Sequence, residues 1–322
     1  MNFRIPIIRS GLNNQAILFM KITVLLFILL AIAVLVIGAC YSKKKKKSRI
    51  VDPAPTGDFP YRVNAPSQVI ELPKKLREVS DLSFDTAANA LWCIADEKGK
   101  LYRIQLPEGS PIDTFSFGED GDYEGLEMVG DDFFVMESNG RISQIRQATS
   151  GNPVVSVFEN PLLSKDDCEA VMYDPVRQKL VIGVKTPASG DDEARPFYTF
   201  DLETMELDPT PIFTISLLDI QVFLRKNGLV EDPYDRWLKQ DAETPSPSAI
   251  ALHPLTNNYF ILASIGKMLL VTSPEGEILQ VVALDKKQHP RPEGLAFDNV
   301  GRMYISNEAV GEMAKVYVYA LE

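Results

Sequence analysis

The sequence predicts an all-β protein, a five-bladed β-propeller, and three observations carry this prediction. A unit of the form Glu-(Gly/Ala)-aliphatic-x-(aromatic/Met) recurs five times, and a second apolar run follows each copy. The copies are spaced at 44, 45, 79 and 45 residues, counted from Ser80 to Glu124, Glu169, Ser248 and Glu293. No stretch within the repeats carries a helical period. A period of about 40 to 50 residues built from short strands is typical of propeller blades.

Each repeat can be divided into four short β runs separated by turns. In the second repeat the runs are residues 125–128, 133–136, 141–145 and 154–158. The last repeat has only three runs before Glu322, whereas residues 68–72 precede the first repeat with no partner of their own. We expect this N-terminal run to complete the last blade, which closes the ring and removes both open sheet edges.

The long step of 79 residues contains an insertion of about residues 216–246. Its apolar residues Leu218, Ile220, Phe223 and Leu224 fall at helical spacing, and Asn227-Gly228 stops the run. The pattern therefore predicts a helical insertion, in which Tyr234 and Trp237 pin the segment to the domain. A sixth blade is the alternative, but the segment lacks a second β pair and contains three prolines, Pro233, Pro245 and Pro247.

The N-terminal part of the chain predicts a membrane segment. After a flank of residues 1–21, the residues from Ile22 to Ala39 contain only one polar side chain, Thr23, and are long enough for a transmembrane helix or a signal-peptide core. The sequence Ile37-Gly38-Ala39-Cys40 resembles a lipoprotein cleavage site, with Cys40 as the lipidated residue. An uncleaved anchor is the alternative. We therefore divide the chain into this segment (22–40), a tether (41–66) and the propeller (67–322).

Charge indicates where the propeller lies and what it binds. The lysine run 43–47 favours a cytoplasmic position for the residues after it, but large domains cross membranes despite such charges, and we expect an extracytoplasmic propeller at the cell membrane. The lysines are expected to contact anionic lipid headgroups. The net charge of −11 understates the acidity of the propeller, because many basic residues precede it. An acidic domain is a poor nucleic-acid binder.

Cysteine and histidine give little sign of enzyme chemistry. Cys93 and Cys168 lie in different repeats and are expected to be free thiols, with no CxxC spacing for zinc or redox work. The two histidines, His253 and His289, are expected to be ordinary loop residues, although His289 could come near the end of the channel. The sequence has no Gly-x-Ser-x-Gly, phosphate-loop or His-Glu-x-x-His motif.

Carboxylates recur at strand ends that share one face of a propeller. Glu124, Glu169 and Glu293 begin first strands, whereas Glu137 and Glu308 end second strands. These carboxylates are expected to converge at the mouth of the central channel, where like charges must be protonated, paired or bridged by a cation. Oxygen ligands suit Ca²⁺. The alternatives are caps that bond backbone amides of the neighbouring blade, or a catalytic carboxylate pair.

Three further residues are candidates for contacting a ligand at this mouth. Lys185 lies near the end of a second strand, Arg291 flanks Glu293, and Asp96 follows a second strand in the first repeat.

These motifs resemble the SdiA-regulated protein family of bacteria over about residues 67–320. The residues that carry the resemblance are 123–127, 168–171, 184–185, 292–297 and 304–308. The resemblance implies a membrane-anchored, NHL-repeat-like propeller of five blades with a bound calcium ion and no established activity. It assigns the acidic pattern to Glu124, Glu137, Glu169, Glu293 and Glu308, with Lys185 as the basic member. The fourth repeat departs from the pattern, because Ser248 and Ser264 take the acidic positions.

Two functions are consistent with the sequence. The first is a membrane-tethered binding module whose calcium-containing mouth recognises a small ligand or a protein. The second is a calcium-dependent hydrolase of esters, lactones or phosphoesters, with a free carboxylate or His289 as base. The sequence shows no dedicated base, so binding is favoured.

Overall fold

The innermost strands of five antiparallel sheets stand around a ring in the computed structural model, which describes residues 59–190 and 193–322. In four sheets the strands follow chain order, so the first strand of each repeat is innermost and the next ones lie further out. Innermost strands of neighbouring sheets contact one another. The predicted all-β, five-bladed propeller is confirmed, and the described part of the insertion forms no sixth blade.

The described residues form 21 strands, numbered in chain order. The first strand of the chain is β1 (Gln68–Glu71), and blade I contains β2 (Val79–Asp85), β3 (Ala90–Ala95), β4 (Lys98–Gln105) and β5 (Ile112–Ser116). Blade II contains β6 (Tyr123–Val129), β7 (Asp132–Glu137), β8 (Ile142–Arg146) and β9 (Val154–Phe158). Blade III contains β10 (Asp167–Asp174), β11 (Lys179–Thr186), β12 (Ala194–Asp201), β13 (Glu206–Leu207) and β14 (Phe213–Ser216). Blade IV contains β15 (Ser246–Leu252), β16 (Tyr259–Ile265), β17 (Met268–Thr272) and β18 (Ile278–Ala283), and blade V contains β19 (Pro292–Phe297), β20 (Met303–Asn307) and β21 (Lys315–Tyr319).

Second strands are apolar along most of their length because neighbouring blades cover both of their faces. All six residues of β3 are buried, as are six of the seven in β16. A strand covered on both sides reads as a continuous apolar run rather than an alternating one. The turns between strands contain residues that tolerate positive φ, such as Asn89 and Gly140.

The first strand of the chain closes the ring. β1 pairs antiparallel with β21, with Gln68 opposite Val318, and so becomes the outermost strand of blade V. The side chains of Ile70 and Leu72 are buried there. This is the closure that the unpaired N-terminal run predicts.

The folded domain begins earlier than the sequence suggested. Phe59, Tyr61 and Val63 fall within the predicted tether of residues 41–66, yet all three are buried in the core between blades IV and V. The hydroxyl of Tyr61 donates to the carbonyl of Gly301 at 2.6 Å and bonds Nε2 of His253 at 2.7 Å. The end of the predicted tether is therefore part of the packed domain.

The insertion contains one α-helix among its described residues, α1 (Leu217–Lys226), after the broken outer strand of blade III. A capping box begins the helix, because the Ser216 hydroxyl accepts from the Asp219 backbone and the Asp219 carboxylate accepts from the Ser216 backbone. The helix ends before Asn227 and Gly228, as predicted. Short 3₁₀ helices cover Lys74–Leu76, Ala148–Ser150 and Tyr234–Leu238. In the last of these, Tyr234 and Trp237 are buried and hold the insertion against the core.

The predicted membrane segment, the lysine run and Cys40 lie outside the described residues. Within residues 59–190 and 193–322, no helix has the length and apolar character needed to cross a membrane.

Candidate functional site

Strand direction brings the predicted carboxylates to one face of the propeller. Each innermost strand begins on this face, and the antiparallel second strand returns to it. We call it the mouth face. The insertion also lies on this side, because β14 ends and β15 begins there.

A β-bulge occurs at the repeated motif in every blade. The pairing between first and second strands slips by one residue in each sheet, and the extra residue falls at the motif. In blades II, III and IV it is Glu124, Glu169 and Ser248, respectively, whereas in blades I and V the slip falls within Ser80-Asp81 and Glu293-Gly294. Bulges re-aim a side chain and often lie beside functional sites. The motif thus contributes to packing and also sets the direction of one polar side chain.

The glycine after the motif glutamate allows neighbouring blades to approach closely. A Cβ placed on Gly125 would lie 2.6 Å from Cγ1 of Val171 in blade III. One placed on Gly294 would lie 2.9 Å from the backbone nitrogen of Leu82 in blade I. In blade III the equivalent position is Ala170, which is only one methyl group larger than glycine and is fully buried.

Glu124, Glu169 and Glu293, three of the predicted ligands, form a cluster with Lys185, which we call the mouth cluster. Burial, followed by the charges of Glu169 and Asp122, raises the pKa of Glu124 to about 9. Burial raises the pKa of Glu169 to about 8, with Lys185 opposing and Glu293 adding to the shift. Burial and then Glu308 raise the pKa of Glu293 to about 7. The carboxyl groups therefore disfavour one another's charge.

Within the mouth cluster, the lysine ammonium already contacts one of the carboxylates. The ammonium of Lys185 hydrogen-bonds Oε1 of Glu169 and lies 3.9 Å from the carboxylate of Asp167. Glu169 is only 5% exposed, and its other oxygen, Oε2, is buried without a hydrogen-bond partner among the described residues. A buried acceptor without a donor costs about 1 to 3 kcal/mol, so this oxygen marks a place for an additional donor or cation.

Blade IV contributes serines where the other blades contribute acids. The hydroxyl of Ser264 donates to Glu293 at 3.0 Å, and that of Ser248 donates to the carbonyl of Pro292 at 3.0 Å. Lys267 donates to the carbonyl of Ser264 at 2.6 Å, and burial lowers the pKa of this lysine. The serines complete the inter-blade bonding without adding charge.

The other candidate residues are not in the mouth cluster. Glu137 is buried beside Arg141, whose Nε donates to it at 2.9 Å, and Glu308 accepts from Arg291 at 2.6 Å. Both glutamates thus already have a basic partner, which sequence spacing did not predict. Asp96 lies among acids, and burial followed by Glu78 raises its pKa.

The arrangement does not by itself form a metal centre. In the part of the chain that the structure describes, no three carboxyl, imidazole or thiol groups stand close enough together to hold a metal ion as placed. The five predicted ligands are therefore not gathered in one coordination sphere. Arg141, Lys185 and Arg291 are the ion-pair partners of three of these five carboxylates.

Two acidic residues that the sequence did not single out bridge neighbouring blades. The carboxylate of Asp81 accepts from the backbone of Leu82 at 2.8 Å and of Leu126 at 2.9 Å. That of Glu127 accepts from the backbone of Met128 at 2.9 Å and of Tyr173 at 3.1 Å. Asp81 and Glu127 thus bond backbone amides of a neighbouring blade, the role that the capping alternative gave to the motif glutamates. The sequence feature that could have identified Glu127 is its position three residues after Glu124 on the same strand.

Glu127 lies near the end of the ring opposite the mouth. A cavity of about 210 Å³ opens there, lined by residues of all five innermost strands, among them Ser83, Glu127, Tyr173, Ala251 and Leu295. The Ser83 hydroxyl donates to Glu127 at 3.0 Å. Ser83 and Glu127 are therefore already bonded to each other on this side.

The histidines and described cysteines are structural. His289 is fully buried and bonds the hydroxyl of Tyr319 at 2.8 Å and the amide of Asn307 at 3.0 Å. Burial lowers its pKa to about 4, and both ring nitrogens are engaged inside the core, away from the position that the hydrolase alternative needs for a base. His253 is also buried and, as expected, is a turn residue. Cys93 and Cys168 are free thiols, as predicted.

Fold and site together define a β-propeller with an acidic channel mouth. The family model described as SdiA-regulated matches residues 203–310, which confirms the predicted resemblance over that part of the chain. No curated protein matches the sequence.

Two solved structures are similar to this chain at low sequence identity. Glutaminyl cyclase from Myxococcus xanthus is 10% identical with a TM-score of 0.53, over 80% of this chain and 96% of that one. A luciferin-regenerating enzyme is 12% identical with a TM-score of 0.47, over 80% and 95%. At such identities the likeness concerns the fold alone.

Proposed function

We propose that this protein is a membrane-tethered binding module whose channel mouth takes up a cation, and that Ca²⁺ is this cation. The observation that carries the proposal is Oε2 of Glu169, a buried carboxylate oxygen without a partner in the described chain, beside the carboxyl groups of Glu124 and Glu293. A ligand set of oxygens alone suits Ca²⁺ better than softer metals. Uptake requires Glu124 and Glu293 to turn towards Glu169, because no three groups of the described residues coordinate a common point as placed.

Electrostatics supports this proposal. Three carboxyl groups with raised pKa values face the ammonium of Lys185, so a divalent ion would compensate charge that one lysine cannot. A cation would favour the ionised carboxylates and reverse the effect of burial on their pKa values.

The test is calcium-dependent thermal unfolding of the full-length protein in mild detergent, together with a metal assay. At a calcium concentration of about 100 times Kd, binding adds about 2.7 kcal/mol, or about 5 to 10 °C in Tm. We expect this rise to be lost in Glu169→Gln and Glu293→Gln. Glu137→Gln, which lies outside the mouth cluster, and the exposed control Glu203→Gln should retain it. Equal shifts in all variants, or no bound metal and no shift, would refute the proposal.

Membrane tethering is proposed from the sequence of residues 22–40. We expect the full chain to fractionate with membranes and the chain lacking residues 1–58 to be released. Protease added to intact cells should reach the propeller if it is extracytoplasmic.

A calcium-dependent hydrolase remains the alternative function. It needs a base at the mouth, and with His289 buried only a carboxylate is left among the candidates. Calcium-dependent turnover of an ester, lactone or phosphoester that is lost in Glu124→Gln would favour the hydrolase over the binding module.

A further inference from the structure

Lys185 contacts the carboxylate that carries the proposed cation site. Its ammonium bonds Oε1 of Glu169 and is within electrostatic reach of Glu293 and Asp167. The side chain of Lys185 is 26% exposed, whereas that of Glu169 is 7% exposed. A partly exposed basic group thus contacts a buried acidic one.

A metal ion and this ammonium compete for the same carboxylate. Ca²⁺ needs six to eight oxygens and often takes both oxygens of a carboxylate. Oε1 of Glu169 is engaged by Lys185, and Oε2 has no partner among the described residues.

The chain also offers a second partner for the displaced lysine. The carboxylate of Asp167 is 3.9 Å from the Lys185 ammonium and 39% exposed. The four-carbon stem of lysine allows its charge to move by a few ångströms at small cost. Lys185 can therefore leave Glu169 without losing an acidic neighbour.

We propose that Lys185 is an intramolecular occupant of the mouth, which an incoming cation displaces from Glu169 towards Asp167. The inference rests on the proposed function for the identity of the site, but it concerns what controls access to it. Lys185 sets a threshold, because a cation binds only if it compensates the carboxylates better than the ammonium does. Monovalent ions fail this condition more readily than divalent ones, since the lysine already supplies a single charge.

The experiment is calorimetric titration of Ca²⁺ into full-length protein in mild detergent, comparing wild type with Lys185→Met and Lys185→Arg. Loss of a charge-assisted hydrogen bond to a buried carboxylate is expected to tighten calcium binding in Lys185→Met by about tenfold or more. Lys185→Arg keeps the charge and should bind no more tightly than wild type. Asp167→Asn should weaken binding, because the displaced lysine loses its second partner. Exposed Glu203→Gln is the matched control.

A second measurement separates competition from a structural role. Without calcium, Lys185→Met should have a lower Tm than wild type, because three acids lose their counter-ion, and calcium should restore it. Lys185→Gln provides a polar variant should the methionine variant fail to fold.

The outcomes separate the two proposals. Equal or weaker calcium binding in both Lys185→Met and Lys185→Gln, with wild type binding normally, overturns the role of Lys185 and leaves the proposed function standing. Binding by Lys185→Met but not by wild type supports the role of Lys185 and refutes calcium uptake by the natural protein. Absence of binding in every variant refutes both.

Discussion

At the scale of single residues, two glutamates three positions apart on β6 have opposite surroundings. Glu124 has acidic neighbours and no hydrogen-bond donor among the described residues, whereas Glu127 accepts from two backbone amides and one hydroxyl. Burial raises the pKa of both, to about 9 and about 7. The hydrogen bonds lower the pKa of Glu127 and offset part of its burial. Glu127 is thus architectural, and Glu124 is available to a ligand.

Replacement of Glu127 should therefore cost more stability than replacement of Glu124. Glu127→Ala leaves the backbone amide of Tyr173 without its side-chain acceptor and that of Met128 with the Ser83 hydroxyl alone, which costs about 1 to 3 kcal/mol for one buried donor. Glu124→Ala on the same strand should cost less than about 1 kcal/mol and can be stabilising where the carboxyl would be ionised. Urea unfolding of both variants measures the difference. Equal losses would show that Glu124 is also a structural cap.

The mouth cluster also predicts a dependence of stability on pH. The pKa values of Glu124 and Glu169, about 9 and about 8, exceed the ordinary value of 4.5, so between these values the folded protein binds more protons than the unfolded chain. The stability from these groups is complete below about pH 4.5 and is lost as pH rises towards 9. With chelator present, Tm should fall from about pH 7 to about pH 9, and Glu124→Gln should flatten this slope. A slope unchanged in Glu124→Gln would exclude Glu124 as its source.

At the scale of elements, the innermost strand combines a bulge, a re-aimed polar residue and a small residue. The bulge gives the motif position its direction, and the small residue lets the next blade come near. Leu126 and Leu295 then supply the buried apolar side chains of the motif. In the Glu-Gly-Leu unit, the first position therefore provides the directed polar side chain, the second leaves space for the neighbouring blade, and the third packs in the core.

The close approach at Gly294 predicts a large effect of one methyl group. In Gly294→Ala the Cβ would lie 2.9 Å from a backbone atom of blade I, which cannot move aside as a side-chain end can. Overpacking of this kind costs about 1 to 3 kcal/mol. Gly118→Ala is the control, since its Cβ would meet only the Tyr123 hydroxyl at 3.3 Å. Chemical denaturation of both variants checks the prediction, and equal stability would contradict it.

At the scale of the whole molecule, the N-terminal end of the described chain stabilises blade V. β1 covers β21, and the preceding residues Phe59 to Val63 fill the core between blades IV and V. Fully burying one large apolar side chain contributes about 1.5 to 3 kcal/mol, so these N-terminal residues matter to the entire ring.

Truncation tests this closure. Removal of residues 1–58 should leave a cooperative urea transition, whereas removal of residues 1–72 exposes the edge of β21 and removes Ile70 and Leu72 from the core. We expect the shorter chain to aggregate or to lose its cooperative transition. Similar transitions in both fragments would show that the ring is stable without its N-terminal strand.

The sequence by itself determined the number of blades, the order of strands, the closure by residues 68–72 and the helix in the insertion. These features depend on local signals: the repeat period, the apolar runs, the turn residues and the stop at Asn227-Gly228. The sequence also predicted that Glu124, Glu169 and Glu293 lie on one face, because strand direction follows from chain order.

Only the tertiary structure decided which carboxylates remain without a basic partner. Glu137 and Glu308 matched the pattern as well as Glu169 did, but Arg141 and Arg291 pair with them, and Lys185 pairs with Glu169. The roles of Asp81 and Glu127, the burial of His289 and the packing of Phe59 into the core likewise depend on residues from other blades. Burial and hydrogen-bond partners arise from contacts between segments far apart in the chain, and spacing along one segment does not specify them.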